Sequence, residues 1–313
     1  MLRLRQEARS VRAWSLVLVC AALAACGEPW RDPPAIDAVT FQTEHDAWRE
    51  HRREALTTPP SGPVLFIGLW PLPGGATTIG ADSALAAVLP AAKSPPLAAR
   101  LVRAGSHIRL EPAPAARFTA ADGSTLAGPI QLQSDADSSP TAVHLGSLGM
   151  RIHRVGDRYW LRAWDEDSPR RKTFAGAPFF PVDLAWRVAA RIERFHEPKA
   201  YRVADMVGGE QEYAAPGRLA FKVAGRIYRL TPFVEPGEPD LWILFADSTN
   251  ATATYPAGRY LLVPPPDSTG WTVMDFNRAY SPPCAFTVYA TCPLPPPENR
   301  LPLAVTAGEK RPH

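Results

Sequence analysis

MRIHRVGDRYWLRAW, residues 150–164, contains two short segments that predict β-strands on either side of a tight turn. Residues 150–153 and 158–164 flank Gly156-Asp157, a pair that suits a hairpin. Other short apolar segments precede them at turn-bounded spacing, at residues 64–70, 107–111, 130–133 and 142–145. Because no helical pattern separates these segments, the spacing predicts a β-sandwich or barrel over residues 62–165.

Strand-like segments continue in the C-terminal part of the chain. Residues 186–192 alternate between apolar and polar side chains at most steps, and residues 219–223 and 227–233 flank an Ala-Gly-Arg turn. LWILF, residues 241–245, is apolar on both faces, which is typical of a central strand. With residues 259–263 and 271–276, these segments predict a second β-sheet or barrel unit over residues 178–313. The proline-rich residues 293–302 predict extended chain on its surface.

One helix is predicted before the strands, over residues 37–57. One stripe at helical spacing carries Phe41, His45, Trp48, Arg52 and Leu56, while the other faces are charged. The sequence TPPSGP at residues 58–63 ends the helix. The predicted fold class is therefore mainly β, with an N-terminal helix, a β-sandwich and a second β unit.

The first 25 residues predict a secretory signal peptide. Four arginines precede an apolar run at residues 13–22, which is too short to span a bilayer because a spanning helix needs about 20 apolar residues. Leu23-Ala24-Ala25-Cys26 resembles the bacterial lipobox, in which the cysteine is acylated, with palmitate among the acyl chains, and becomes the N-terminus. The alternative is an ordinary signal peptide with a chance cysteine.

The lipobox resemblance implies a cellular location as well as a membrane anchor. Residues 26–36 would form a proline-rich lipidated tether, and two or more acyl chains anchor a protein stably to a membrane. Gly27 follows the cysteine, which is similar to the pattern of lipoproteins sent on to the outer membrane, facing the periplasm. The membrane is thus the first expected partner.

The charge balance excludes a nucleic-acid partner. Removing the four arginines and one glutamate of the signal from the 34 Lys+Arg and 31 Asp+Glu of the chain leaves 30 of each. A neutral mature chain has no electrostatic footprint for nucleic acid. The sequence also contains no metalloprotease, P-loop, serine-elbow or dinucleotide motif, so we expect no metal and no cofactor.

Two cysteines remain after the signal and the lipidated residue. Cys284 and Cys292 would lie in an oxidising compartment, which favours a disulfide. A metal-binding or reactive-thiol pair is the competing interpretation. However, no histidine lies near these cysteines in the sequence, and their spacing is not that of the close pair usual for zinc.

Residues 275–287, DFNRAYSPPCAFT, resemble the signature of the domain-of-unknown-function 1684 family. Residues 289–295, 307–310, 245–249 and 180–183 continue the resemblance, which runs from Trp48 to the end of the chain. The family has no established activity, so membership implies none. Residues 68–164 also resemble a forkhead-associated sandwich in the spacing of their short sequence segments. That module reads phosphothreonine with an arginine where Ala81 stands here, so the resemblance implies the fold without phosphopeptide binding.

The residues that could carry chemistry concentrate between residues 247 and 284. Arginine presents a planar fork that suits carboxylate or phosphate. Asp275 and Asn277, two apart on a predicted strand, would face the same side. The candidate site residues are Asp247, Tyr255, Arg259, Asp275, Asn277, Arg278 and Tyr280.

Three interpretations of this cluster remain open. In the first, the charges form a buried network that attaches the tail to the β unit, with Arg259 and Arg278 converging on Asp247 and Asp275. In the second, which we prefer as a function, an envelope lipoprotein binds a small anionic ligand or a cell-envelope component here. In the third, a hydrolase-like enzyme uses Asp247 or Asp275 as acid or base.

Overall fold

A computed structural model describes residues 30–235 and 237–312 of the 313-residue chain. Strands dominate it, which confirms the mainly β fold class. The predicted signal peptide and the predicted lipidation site, Cys26, lie outside the described residues. Within them, no helix combines the length and apolar character needed to cross a membrane.

The predicted N-terminal helix is present as α1, Ala38–Thr57. Asp37 caps it, since its carboxylate accepts hydrogen bonds from the backbone N–H groups of Val39 (3.1 Å) and Thr40 (2.9 Å). Phe41, His45 and Leu56 of the predicted stripe are buried. The apolar stripe therefore holds the helix against the C-terminal β unit, where its contacts position part of the candidate cluster.

The predicted sandwich consists of two five-stranded sheets that share one core. Leu148 and Leu161 from the first sheet pack with Ile79 and Leu101 from the second. The first sheet has the order β1-β10-β9-β8-β6 and the second β3-β2-β4-β5-β7. The strands are β1 Phe66–Pro71, β2 Gly75–Gly80, β3 Ala87–Val88, β4 Ala99–Ala104, β5 His107–Pro112, β6 Phe118–Ala120, β7 Ile130–Leu132, β8 Ala142–Leu145, β9 Leu148–Val155 and β10 Arg158–Asp165.

The β9–β10 hairpin determines which face of the first sheet is apolar and which is polar. Its turn places Gly156 at a φ of 61°, which glycine adopts without strain. Because side chains alternate along a strand, Met150 and Ile152 enter the core while Arg151 and His153 lie on the opposite face. Arg162 of β10 pairs with Arg151 across the strands. The outward face of the first sheet is therefore cationic.

The second β unit is a seven-stranded sheet of order β16-β15-β14-β12-β11-β17, with β13 paired to β12. Its strongly apolar strand β15 is buried along its whole length, as the LWILF sequence predicts. A short helix α2, Pro169–Thr173, precedes the sheet. The strands are β11 Arg187–Ala204, β12 Glu210–Val223, β13 Arg226–Leu230, β14 Phe233–Val234, β15 Leu241–Phe245, β16 Arg259–Val263 and β17 Trp271–Asp275.

One local expectation is wrong, and another holds only in part. Strand β17 ends at Asp275, whose carboxylate caps a 3₁₀ turn over Phe276–Arg278, so Asp275 and Asn277 do not share a strand face. The proline-rich tail lies only partly on the surface, because Asn299 and Leu301 are buried while Glu298 and Arg300 are exposed. Asn299 forms hydrogen bonds with the backbone of Thr231 and Leu244, which satisfies groups that the sheet leaves unpaired.

Candidate functional site

A cavity of about 360 Å³ lies where the outward face of the first sandwich sheet meets the C-terminal β unit. We call it the arginine cavity. The sandwich contributes cationic side chains to its wall, and the C-terminal unit contributes aromatic, polar and small ones. The lining side chains used below are Arg151, His153, Arg162, Tyr213, Glu235, Trp242, Tyr260, Thr291 and Cys292.

The cationic wall has more positive charge than its neighbouring carboxylate neutralises. Arg151 Nε and Arg162 Nη1 lie 3.7 Å and 3.8 Å from the same Asp135 Oδ2. The side chain of Arg162 is only 8% exposed, and within the described part of the chain the Nε atoms of both arginines have no hydrogen-bond partner. Burial lowers the pKa of Arg162 to about 10, so it remains a cation at neutral pH.

Asp135 also begins a chain of hydrogen bonds that reaches the cavity. Its Oδ2 lies 2.7 Å from His153 Nδ1, and His153 Nε2 lies 2.7 Å from Thr291 Oγ1. Burial opposes ionisation of Asp135, but the hydrogen bond from His153 and the nearby cations bring its pKa below the usual value. Burial is the main reason that the pKa of His153 is also lowered. The pair is therefore an ionised carboxylate and a neutral imidazole at neutral pH.

The opposite wall is aromatic. Trp242 contacts Tyr213 and Tyr260 at ring-centroid distances of 5.6 Å and 4.9 Å, both in edge-to-face geometry. Burial raises the pKa of both tyrosines, so both phenols are neutral. Burial likewise raises the pKa of Glu235 on this wall. The cavity thus combines a cationic side with an apolar, polarisable side.

Asp247 and Arg259, predicted as site residues, form a completely buried pair away from this cavity. Arg259 Nη2 lies 2.8 Å from Asp247 Oδ2, and both side chains are 0% exposed. Arg259 also donates to the carbonyl oxygens of Val305 and Ala307 in the tail. This arrangement matches the first interpretation of the cluster, a network that attaches the tail.

Asp275, Asn277 and Arg278 lie at the joint with the N-terminal helix. Asp275 Oδ2 is 2.8 Å from Nε2 of His45, which is fully buried. Asn277 forms hydrogen bonds with both the backbone N–H and the carbonyl of Asp183. Arg278 is 40% exposed and lies 4.0 Å from Asp275 and 3.6 Å from Glu44. The two arginines therefore meet their acids in two separate places.

The remaining candidates surround the cysteines. Tyr255 donates its hydroxyl proton to the carbonyl of Cys284 (3.1 Å), and the ring of Tyr280 stacks beneath the Arg52 guanidinium at 4.7 Å. Cys284 and Cys292 are free thiols in the structure. They are neighbours, since the backbone N–H of Cys284 lies 3.0 Å from Cys292 Sγ. Of the residues proposed from sequence, Cys292 alone lines the arginine cavity.

The sequence reasoning missed the residues that do line it. Period-two alternation in residues 150–164 carried a signal, because it places Arg151 and His153 on one face. Thr291 lies inside the family-like YATCPLP segment. Within the described residues, no group of three or more His, Cys, Asp or Glu side chains could hold a metal ion.

The comparisons with known proteins add a family and two structures. A family model described as "Protein of unknown function (DUF1684)" matches residues 172–310. An uncharacterized protein of Haloarcula marismortui, solved by NMR, is 32% identical over 46% of this chain and 80% of its own, with a TM-score of 0.39. Mycobacterium tuberculosis EmbR, in complex with a low affinity phosphopeptide, is 13% identical over 43% of this chain and 33% of its own, with a TM-score of 0.22. No curated protein matches the chain.

Proposed function

We propose that this chain, which belongs over residues 172–310 to the DUF1684 family of proteins of unknown function, is a lipid-anchored protein of the cell envelope. It binds a small anionic ligand in the arginine cavity. One observation supports the ligand: the guanidinium of Arg162 is more than nine-tenths buried on the cavity wall, and it shares its carboxylate partner, Asp135, with Arg151. The proposal keeps the anionic ligand expected from the sequence and places it at different residues.

The physical argument is the cost of leaving charge and donors unsatisfied. A buried donor without a partner costs about 1–3 kcal/mol. Arg151 and Arg162 share Asp135, and the carboxylate already accepts hydrogen bonds from His153 and from the backbone of Arg154. A carboxylate or phosphate group entering from the cavity would accept the free N–H groups and balance the second cation.

The aromatic wall selects the rest of the ligand. Tyr213, Trp242 and Tyr260 offer ring faces and edges opposite the arginines, and such surfaces favour an apolar or ring-shaped body. A cavity of about 360 Å³ accommodates a small molecule. We therefore expect a compact ligand with one anionic end, such as a small metabolite or a fragment of an envelope component.

Arg162→Gln and Arg151→Gln are expected to weaken binding of benzoate and inorganic phosphate at least tenfold. The reason is that each charged hydrogen bond contributes about 1.5–3 kcal/mol and 1.4 kcal/mol corresponds to a factor of ten. Isothermal titration calorimetry measures the affinities. Arg109→Gln is the matched control, since Arg109 is exposed and paired with Glu111 on the other sheet. Equal affinities in all four proteins would refute the cavity as the ligand site.

Cys26→Ser is expected to release the protein from the membrane, because the acylated thiol is the proposed anchor. Detergent phase partitioning and incorporation of labelled palmitate into the wild-type chain measure this. Cys20→Ser is the control, since Cys20 lies within the signal peptide. A Cys26→Ser protein that still partitions into detergent and takes up palmitate would rule out the lipid anchor. Fractionation of the two membranes tests the outer-membrane address.

A further inference from the structure

We infer that the arginine cavity is the active site of a hydrolase for small anionic esters, in which Thr291 is the nucleophile, His153 the general base and Asp135 the residue that orients the imidazole. The inference rests on the proposed function for the anionic end of the substrate. In this inference Asp247 and Asp275 take no part in the reaction, because the structure pairs Asp247 with buried Arg259 and Asp275 with buried His45.

The three side chains have the geometry of a nucleophile, base and orienting acid. The Thr291 hydroxyl and the His153 Nε2 atom are 2.7 Å apart, and His153 Nδ1 is 2.7 Å from Asp135 Oδ2. These distances match the reach required between nucleophile, base and third group. Two residues of the sandwich meet a residue 138 positions away in the sequence, and both Thr291 and His153 line the cavity.

The hydrogen bonds fix which nitrogen carries the proton. An ionised carboxylate can only accept, so His153 Nδ1 donates to Asp135 and the Nε2 lone pair accepts from Thr291. Asp135 is itself held in place, because its Oδ1 accepts the backbone N–H of Arg154 at 3.0 Å and Ser134 forms a β-bridge with Ile152. The imidazole is thus presented to Thr291 in the tautomer that a base needs.

The surroundings keep that imidazole neutral. Burial lowers the pKa of His153, Asp135 opposes the effect, and Arg162 and Arg151 add to the lowering. Of the residues that the structure describes, the other titratable groups that line the cavity are Arg154, Glu235, Cys292, Tyr213 and Tyr260. Among the described residues, the Thr291 hydroxyl has no hydrogen bond other than that to His153, so its proton has one acceptor.

The reaction balances with water as the second substrate. Thr291 Oγ1 attacks the ester carbonyl carbon while its proton passes to His153 Nε2. The bond to the alcohol oxygen breaks, and the leaving oxygen takes that proton. A water molecule then attacks the threonyl ester and gives a proton to His153, which returns it to Thr291 Oγ1 as the acid departs. Arg151 and Arg162 would hold the carboxylate or phosphate end of the substrate throughout.

The same three side chains could instead serve only to attach the C-terminal segment to the sandwich. Covalent labelling distinguishes the two roles, because an inert hydroxyl does not react with a fluorophosphonate. We expect mass spectrometry of the full-length protein treated with a fluorophosphonate probe to find the adduct on Thr291. Absence of the adduct from a protein that binds inorganic phosphate would overturn the hydrolase and leave the proposed ligand binding intact.

Turnover of mono-4-nitrophenyl succinate, an ester with a free carboxylate, provides the second readout. Thr291→Ala is expected to lower kcat/KM at least about 100-fold, since proton transfer by a positioned base contributes about 10²–10⁴-fold. Thr291→Ser should retain activity and labelling, and Thr272→Ala on β17 serves as the matched control. The activity should rise with pH as His153 loses its proton, with an apparent pKa below about 6.5. Wild-type rates in Thr291→Ala would overturn the inference.

Arginine variants distinguish failure of the hydrolase inference from failure of the proposed ligand binding. Arg162→Gln is expected to raise KM for the succinate ester at least tenfold more than it raises KM for neutral 4-nitrophenyl butyrate. Equal effects on both esters, with unaltered phosphate affinity, would contradict the anionic site while labelling of Thr291 still supports hydrolysis. Phosphate binding without labelling or turnover would support the anionic site and contradict the hydrolase.

Discussion

Arg259→Met is expected to lower the free energy of unfolding by about 3–5 kcal/mol, the usual cost of removing one partner of a buried ion pair. Arg259 and Asp247 are both completely buried, at an N–O distance of 2.8 Å. The substitution would leave a carboxylate without its cation. It would also remove the donors that satisfy the carbonyl oxygens of Val305 and Ala307, so the tail would lose its attachment. Urea unfolding at neutral pH measures the loss.

Arg278→Met is the matched control for this prediction. Arg278 is 40% exposed and its closest acidic atoms lie 3.6 Å and 4.0 Å away. An exposed pair of this kind contributes about 0–1 kcal/mol. Adding Asp247→Leu to Arg259→Met should recover part of the stability, because no unpaired charge then remains. Similar losses in the Arg259 and Arg278 variants would contradict the structural role of the Arg259 pair.

The strands were the most predictable part of the fold. Alternation with period two in residues 150–164 and the apolar LWILF sequence report directly on which faces are buried, so β9, β10 and β15 follow from local pattern. The helix followed from its stripe and its stop signal. The strand end at Asp275 was missed because an aspartate that caps a 3₁₀ turn looks like a polar strand position in sequence.

The tail was harder for a related reason. Prolines in residues 293–302 indicate extended chain, but they do not say whether that chain is buried. Asn299 is completely buried, and its side-chain amide forms hydrogen bonds with the backbone of Thr231 and Leu244. Those partners belong to a different part of the sequence, so the burial of the tail depends on tertiary packing that no local pattern encodes.

The residues that line the arginine cavity could not be predicted from the sequence, apart from Cys292. The cluster of arginines and acids between residues 247 and 284 led to the expectation of an anionic ligand. In the structure, those residues form the pairs that attach the tail and the N-terminal helix. The arginine cavity combines His153 and Arg162 from the sandwich with Thr291 from the last part of the chain, and Asp135 contacts it through His153. These residues meet because the outward face of the first sheet packs on the second unit, and sequence distance carries no information about that contact.

Asp275→Asn is expected to cost about 1.5–3 kcal/mol of unfolding free energy at pH 7, the range for a hydrogen bond to a charged group. His45 Nδ1 lies 2.7 Å from the carbonyl of Phe41 and Nε2 lies 2.8 Å from Asp275 Oδ2. An ionised carboxylate can only accept, so His45 Nε2 donates its proton to Asp275 Oδ2. This hydrogen bond to a charged group joins α1 to the end of β17, and the asparagine variant lacks the charge.

The pH dependence of this loss provides the decisive test. Burial alone would raise the pKa of Asp275, but the hydrogen bonds from His45 and Asn277 outweigh it, and the pKa lies below its usual value. A lowered carboxyl pKa stabilises the fold fully above the unfolded pKa of about 3.9, and that contribution disappears as the pH falls through the folded value. Urea unfolding of the wild type and Asp275→Asn at pH 7, 5, 4 and 3 should therefore show a constant difference above about pH 5 that shrinks below about pH 4. Asp157→Asn, at the exposed turn between β9 and β10, should match the wild type at every pH. A difference between wild type and Asp275→Asn that stays constant down to pH 3, or grows, would mean that the Asp275 carboxylate is not held by His45.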